Sequence, residues 1–190
     1  MPVQLPAFAL NLATAKAFNN LYYRSQLPKH TFQTVPYDPF FYPLDALHEW
    51  HRLYGPPGFL QYQFVIPYAQ DRTAIKDILT QISRSGVLSF LAVLKVFGEI
   101  PSPGMLSFPQ PGVTLALDFP FRGQRTLSLL NRLDQVVRAN GGVLYPAKDA
   151  RMSAETFQAC YPQWREFARY IDPKFSSSFW RRVTRNGNER

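Results

Sequence analysis

FLQYQFVI, residues 59–66, decides the fold, because its side chains alternate between two faces. One face is wholly apolar and consists of Leu60, Tyr62, Phe64 and Ile66. The opposite face is mixed and consists of Phe59, Gln61, Gln63 and Val65. A period of two is that of a β-strand with one buried face. We therefore predict a strand at 59–66 that carries two amides on its second face.

The stretches on either side extend this pattern into a sheet. Residues 88–97 and 113–119 alternate in the same way, and 143–145 form a last short strand. Helical spacing predicts one helix from Asp71 to Gly86, with a buried side of Ile75, Ile78, Leu79 and Ile82, and another over 125–140. The order strand, helix, strand, strand, helix, strand predicts an α+β fold, a ferredoxin-like antiparallel sheet flanked by helices.

The apolar strand faces should pack on those helices. The one at 88–97 consists of Leu88, Phe90, Ala92, Leu94 and Val96.

Segments outside this sheet have other patterns. Loosely helical spacing predicts a helix over 8–23, followed by a proline-rich, extended connection. Asp45 is placed to cap a short amphipathic helix that bears Leu47, Trp50 and Leu53 and stops at Gly55. After Lys148, Ser153 can cap a C-terminal helical segment, and the final 16 residues are polar, basic and expected to fray.

Composition narrows the class of protein. The chain has 190 residues, of which 46% are hydrophobic and 18% charged, which excludes a disordered tail. Its net charge of +8 leaves anionic partners open. No glycine-rich phosphate loop or nucleic-acid reader motif accompanies that charge, so we expect no nucleic-acid partner. The single cysteine, Cys160, requires no oxidising compartment.

Membrane and metal signals are weak. The longest apolar run, 87–94, is far shorter than the ~20 residues of a spanning helix. The N-terminus lacks the pattern of a secretory signal. We expect a cytoplasmic protein with at most peripheral contact at the inner face of a membrane. His48 and His51 lie three apart, but no cluster of further ligands completes a metal site.

The mixed strand faces are the candidate site. They bring together the polar side chains of Gln61, Gln63, Lys95, Thr114 and Asp118, set among Leu91, Val93 and Phe97. Such a mixture is typical of a pocket for a polar, oxygen-rich ligand. A solvated sheet face has the same pattern, and periodicity alone favours that alternative.

Several longer stretches of the sequence favour the pocket over the solvated sheet face. They are FFYPLDALHEWHRLYG (40–55), GFLQYQFVIP (58–67), LAVLKVFG (91–98), LSFPQPGVTLALDFP (106–120) and LYPAKDARMSAETF (144–157). In order and spacing they resemble the C-terminal half of FAD-linked oxidoreductases of the vanillyl-alcohol oxidase superfamily. Within that superfamily they resemble the decaprenylphosphoryl-ribose oxidases and the D-arabinono-1,4-lactone oxidase C-terminal family.

The resemblance assigns roles to particular positions. It implies that Lys148 approaches the pyrimidine end of the flavin and the substrate hydroxyl, with Tyr145 beside the cofactor. It also implies that the substrate pocket is lined by Gln61, Gln63, Lys95, Phe97, Thr114 and Asp118. Relatives often carry Asn and Cys where this chain has Thr114 and Ala116, so the pocket differs there. The implied substrate is a sugar lactone or a polyprenyl-phosphate-linked pentose.

The same resemblance implies a division of the chain. Residues 1–141 would be a substrate-binding cap domain with a helical lead-in, and 142–190 a segment that completes an FAD-binding domain. By this resemblance, we do not expect the N-terminal FAD-binding domain of the family within these 190 residues. We therefore expect an aldonolactone oxidase-like, FAD-linked oxidoreductase that is inactive as an isolated chain and needs a separate flavin-domain polypeptide. The alternative is a non-catalytic fragment or binding module.

Overall fold

A computed structural model describes residues 11–26, 28–42, 48–148 and 151–184. The chain divides into two compact units, 1–59 and 60–190. Each unit is described by itself.

The first unit begins with helix α1, Leu12–Arg24. Asn11 caps it: its Oδ1 accepts hydrogen bonds from the backbone N–H of Ala13 at 2.8 Å and of Thr14 at 3.1 Å. The Thr14 hydroxyl lies 3.1 Å from the Asn11 backbone nitrogen, which donates to it and completes a capping box. A helix is thus confirmed here, and the predicted start at residue 8 lies outside the described residues.

Two expectations for the first unit need correction. The proline-rich connection is not wholly extended, because Tyr37–Phe41 form the short helix α2. The predicted short amphipathic helix is present in its described part only as the 3-10 helix Trp50–Tyr54, and 48–49 do not belong to it. Glu49 adopts left-handed backbone angles (φ 52°, ψ 41°) immediately before it, which interrupts a regular α-helix. The predicted cap at Asp45 and the predicted apolar position Leu47 lie outside the described residues.

The second unit contains the sheet, and its elements follow the predicted order. They are β1 (Phe59–Ile66), α3 (Asp71–Ser85), β2 (Ala92–Phe97), β3 (Gly112–Pro120), α4 (Gln124–Ala139) and β4 (Val143–Leu144). The four strands form an antiparallel sheet in the order β2-β3-β1-β4. This confirms the α+β prediction, with the strand order of a split βαβ arrangement.

One face of the sheet packs on α3 and α4, as the alternation predicts. Phe64 and Ile66 of β1 and Phe119 of β3 are fully buried, together with Ile78 of α3 and Leu133 of α4. Burial of these side chains supplies the main stabilising term of the unit. The opposite face is left for the polar side chains of β1 and β3.

The edge strand departs from the prediction. Strand β2 begins at Ala92 rather than at residue 88, and Leu94 and Val96 are 61% and 66% exposed. Leu79 of α3 is also half-exposed, at 48%. Because β2 lies at the end of the sheet, α3 does not cover it, and an open groove of about 630 Å³ remains between them. Alternation fixes the face of a side chain but not its distance from the sheet centre.

The C-terminal segment is helical, as predicted, and more ordered than expected. It contains α5 (Ala154–Cys160), α6 (Trp164–Phe167) and α7 (Ser178–Thr184). The hydroxyl of Ser153 caps α5 by accepting from the Thr156 N–H at 3.1 Å. Fraying is wrong for 178–184, because α7 packs on α5 and buries Val183 completely. Residues 185–190 lie outside the described part.

Gly142 holds β4 close to β1. A Cβ atom at this position would lie 2.7 Å from the Val65 carbonyl oxygen and 2.8 Å from Val137 Cγ1. Only glycine permits that approach, because no side-chain atom fits between the strands. The approach brings the residues after β4 to the polar face of the sheet.

Candidate functional site

The first part of the candidate site joins β1, β3 and β2 across the polar face. The Gln63 amide Nε2 donates a hydrogen bond to the Thr114 hydroxyl at 3.2 Å. Thr114 is buried, and Lys95 of β2 lies opposite it in the strand register. The side chains of Gln63, Thr114 and Lys95 therefore share one face, with the Lys95 ammonium group at its solvent-exposed edge.

Asp118 is the buried acid of this face, with only 2% of its surface exposed. Burial raises the pKa of its carboxyl group, while a hydrogen bond from Gln61 and the positive charge of Lys148 act in the opposite direction. Its Oδ2 atom is buried and has no hydrogen-bond partner among the described residues. A buried acceptor without a partner is unfavourable, so a ligand hydroxyl that donates to Oδ2 would relieve this cost.

Lys148 reaches the site through the turn that follows β4. The Tyr145 N–H donates to the Gln63 carbonyl oxygen at 2.9 Å, and Pro146–Lys148 then form a 3-10 turn. The Lys148 N–H donates to the Tyr145 carbonyl oxygen at 3.2 Å. A cavity of about 20 Å³, bordered by Gln61, Gln63, Tyr145 and Lys148, lies between the turn and β1. It has room for about one water molecule, not for a cofactor.

An aromatic row borders the same turn. The Phe108 ring stacks on Tyr145, with centroids 4.6 Å apart, and meets Phe97 edge to face at 5.9 Å. Phe108 is 5% exposed and comes from the long loop between β2 and β3. Sequence reasoning missed it, because no periodicity extends through that proline-rich loop. The string LSFPQPG, which contains it, was the only available signal.

A buried polar network supports the turn from the helix side. Arg151 forms a bidentate pair with Asp134 of α4, with both N–O distances 2.8 Å. The Tyr62 hydroxyl donates to the same carboxylate at 3.0 Å, and Arg151 donates to Asn131 Oδ1 at 2.7 Å. Burial, followed by the Asp134 charge, raises the pKa of the Tyr62 hydroxyl well above its usual value. The network links β1, α4 and the segment three residues after Lys148.

The structure therefore connects most of the candidate site residues, whereas Lys95 is related to them only by its register opposite Thr114. Gln61 and Lys148 act on Asp118, Gln63 contacts Thr114 and Tyr145, and Phe108 connects Phe97 to Tyr145. Across the described ranges, no group of three or more His, Cys, Asp or Glu side chains could hold a metal ion. Nor is any helix in those ranges long and apolar enough to cross a membrane.

No protein-family model matches the chain. Over 189 residues, however, it is 40% identical to the decaprenylphosphoryl-beta-D-ribose oxidase of Mycolicibacterium smegmatis, an alignment that covers 96% of this chain. The chain is similar to that oxidase. The predicted resemblance to this group of proteins is thus supported by similarity over almost the whole chain.

A second relative is an uncharacterized protein in the mprA 5' region of Streptomyces coelicolor. It is 32% identical over 145 residues, which are 74% of this chain. The alignments cover 40% of the Mycolicibacterium oxidase and 39% of the Streptomyces protein. The chain thus spans about two-fifths of the length of the curated relatives it matches.

The burial of Asp118 leads to a prediction for the stability of the folded chain. We expect Asp118→Asn to stabilise the chain at pH 7 by roughly 1 kcal/mol, a rise in Tm of about 2–4 °C, because it removes a buried charge. The folded-state pKa of Asp118 is raised, so ionisation destabilises the folded state. This destabilisation is complete above the folded-state pKa and disappears below the unfolded-state pKa. The gain should therefore shrink as the pH falls through the folded-state pKa of Asp118.

Thermal unfolding followed by circular dichroism across pH measures this effect. Asp77→Asn on the exposed side of α3 is the matched control, and its Tm should stay close to that of the original chain. A lower Tm for Asp118→Asn at pH 7 would contradict the prediction.

Proposed function

We propose that this chain supplies the substrate-binding side of an FAD-dependent oxidoreductase that oxidises a sugar hydroxyl. The substrate class is a polyprenyl-phosphate-linked pentose or a sugar lactone. The similar Mycolicibacterium protein is named as an oxidase of decaprenylphosphoryl-beta-D-ribose, which favours the first.

The observation that carries the proposal is the buried Asp118 carboxyl group of β3 together with the charge of Lys148, which acts on it from the turn after β4. Asp118 offers a buried oxygen without a partner, and Lys148 contributes a positive charge near it. A sugar hydroxyl can donate to Asp118 Oδ2, while Gln61 and Gln63 provide amides that can bind neighbouring hydroxyls. Lys95 at the exposed edge is placed to attract the negative charge of a phosphate.

A bound flavin would supply hydride-transfer chemistry, which would leave negative charge at its pyrimidine end. Lys148 is the residue of this chain suited to stabilise that charge, and Tyr145 offers an aromatic surface beside it. The cavity at the turn, about 20 Å³, is far too small for a flavin ring. Tyr145 and Lys148 would be the residues of this chain that hold the flavin ring, and a flavin-binding part would supply the rest of the cofactor site.

Substrate binding and cofactor binding are assigned to two consecutive parts of the chain in this proposal. Residues 1–141 would bind the substrate, and 142–190 would complete an FAD-binding domain. Strand β4 supports a close link between the two, because it pairs with β1 through Phe64 opposite Leu144 and Val65 opposite Val143. The turn with Tyr145 and Lys148 then stands where both parts meet.

Reconstitution tests the proposal. The chain is co-expressed with the part of the Mycolicibacterium oxidase that the alignment does not cover, and the purified complex is examined for visible flavin absorbance. We expect flavin to copurify and its absorbance to bleach when a polyprenyl-phosphoryl ribose is added without oxygen. A sugar lactone in a parallel reaction distinguishes the two substrate classes. A complex that forms but retains no flavin would instead indicate a non-catalytic binding module.

A further inference from the structure

The first unit exposes an unusual number of large apolar side chains. Between residues 18 and 42, ten of them are 47–99% exposed: Phe18, Leu21, Tyr22, Tyr23, Phe32, Val35, Tyr37, Phe40, Phe41 and Tyr42. A protein surface rarely leaves so many together without an interaction to explain them. We call residues 11–42 the aromatic segment; Leu27 within it is not described.

Helix α1 is amphipathic, and Phe18, Leu21 and Tyr22 on its apolar side are 66–74% exposed among the residues that the structure describes. Ala15, Phe18, Leu21 and Tyr22 recur at helical spacing on one stripe, and the rings of Phe18 and Tyr22 stack at 6.1 Å. The remaining circumference carries Lys16, Asn19, Asn20, Tyr23 and Arg24. A helix with an apolar stripe and a basic, polar side is the form that lies in the plane of a membrane interface.

The second half of the aromatic segment presents a compact group of rings. Within 37–42, the ring centroid of Tyr37 lies 5.3 Å from that of Phe41 and 6.0 Å from that of Tyr42. The ring centroids of Phe40 and Phe41 are 5.0 Å apart. All four rings remain at least half exposed. Tyrosine is favoured at membrane interfaces, because its ring enters the apolar layer while its hydroxyl stays hydrated.

The charged residues of the aromatic segment indicate which kind of surface it would bind. Lys16, Arg24 and Lys29 are basic, and Asp38 is the only acidic residue between positions 11 and 42. The basic residues lie within 16–29 of the aromatic segment, close in sequence to Phe18, Tyr22 and Phe32, whereas the buried centre of a protein–protein interface is depleted of lysine. Aromatic anchors with a basic surround fit an anionic lipid headgroup layer.

We propose that the aromatic segment binds the surface of an anionic lipid bilayer. Rings of the segment enter the headgroup boundary, and Lys16, Arg24 and Lys29 contact lipid phosphates. This inference does not depend on the oxidoreductase proposal, although a polyprenyl-phosphate substrate would be located in such a bilayer.

Vesicle flotation with the full chain tests the inference. We expect binding to phosphatidylcholine vesicles that contain phosphatidylglycerol, and weaker binding at high salt, because the electrostatic part is screened. The double variant Phe18→Ser/Phe32→Ser should reduce the partition coefficient at least ~10-fold, because it removes two apolar side chains from the contact. The double variant Leu94→Ser/Val96→Ser is the matched control: it removes exposed apolar side chains from the second unit and should leave binding unchanged.

Three outcomes would overturn the inference. The folded chain could fail to bind the vesicles that contain phosphatidylglycerol, or the Leu94/Val96 control could lose binding equally. The chain could also form a dimer that the Phe18/Phe32 variant dissociates, without binding lipid, which would make the aromatic segment a contact between copies. The flavin reconstitution assay uses no lipid vesicle, so failure of the oxidoreductase proposal is recorded separately.

Discussion

Arg151→Met is expected to lower the free energy of unfolding by about 3–5 kcal/mol, because it removes one partner of a buried ion pair. The side chains of Arg151 and Asp134 are only 16% and 8% exposed. Without the guanidinium group, the Asp134 carboxylate stays in the interior with the Tyr62 hydroxyl as its remaining described donor. Water cannot fully replace two charge-assisted hydrogen bonds at such a site.

Urea unfolding measures this loss, and Arg138→Met is the matched control. Arg138 pairs with Glu155 at 2.8 Å, but the two side chains are 32% and 77% exposed. The control should therefore lower the free energy of unfolding by about 1 kcal/mol or less. The triple variant Tyr62→Phe/Asp134→Leu/Arg151→Met should recover much of the loss, because it removes all three members of the buried network together and leaves none of them unpaired. Equal costs for Arg151→Met and Arg138→Met would show that the buried pair does not stabilise this region.

Lys148→Met is expected to lower the rate of flavin reduction about 10²–10³-fold in the reconstituted complex, because it removes one preorganised charge from the site. Lys148→Arg keeps the charge and should recover part of that rate. Lys174→Met, at an exposed position of the C-terminal segment, is the matched control and should leave the rate unchanged. A Lys148→Met complex with the original rate would exclude the proposed role of this lysine.

A second measurement on the same variant needs no flavin. The Lys148 charge lowers the pKa of the Asp118 carboxyl group, so its removal should raise that pKa further. Titration of the carboxyl group by NMR in the chain alone reports this shift. An unchanged pKa would show that Lys148 and Asp118 do not act on each other, whatever the activity of the complex.

The sequence predicted which side chains share a face most successfully where strands are regular. In β1 and β3 the period of two placed Gln61, Gln63, Thr114 and Asp118 on one face, and the sheet confirms that placement. Lys148 and Tyr145 lie outside any periodic element. Their assignment came from the resemblance alone, and their roles stay predictions.

Other parts of the site could not be predicted, because they depend on contacts between distant residues. Phe108 stacks on Tyr145 from a loop without periodicity, and Tyr62 meets Asp134 across 72 positions of the chain. The exposure of Leu94 and Val96 has the same origin, since strand order alone determines which strand becomes an edge.

The sequence by itself thus determined the order of the sheet elements and the face on which each strand side chain lies. Both follow from local backbone geometry, in which successive strand residues point to opposite sides. Only the tertiary structure decided that Asp118 Oδ2 is buried without a partner and that a buried Arg151–Asp134 pair lies beneath the Lys148 turn. Burial and charge pairing depend on which segments meet in space, and no single stretch of sequence contains that information.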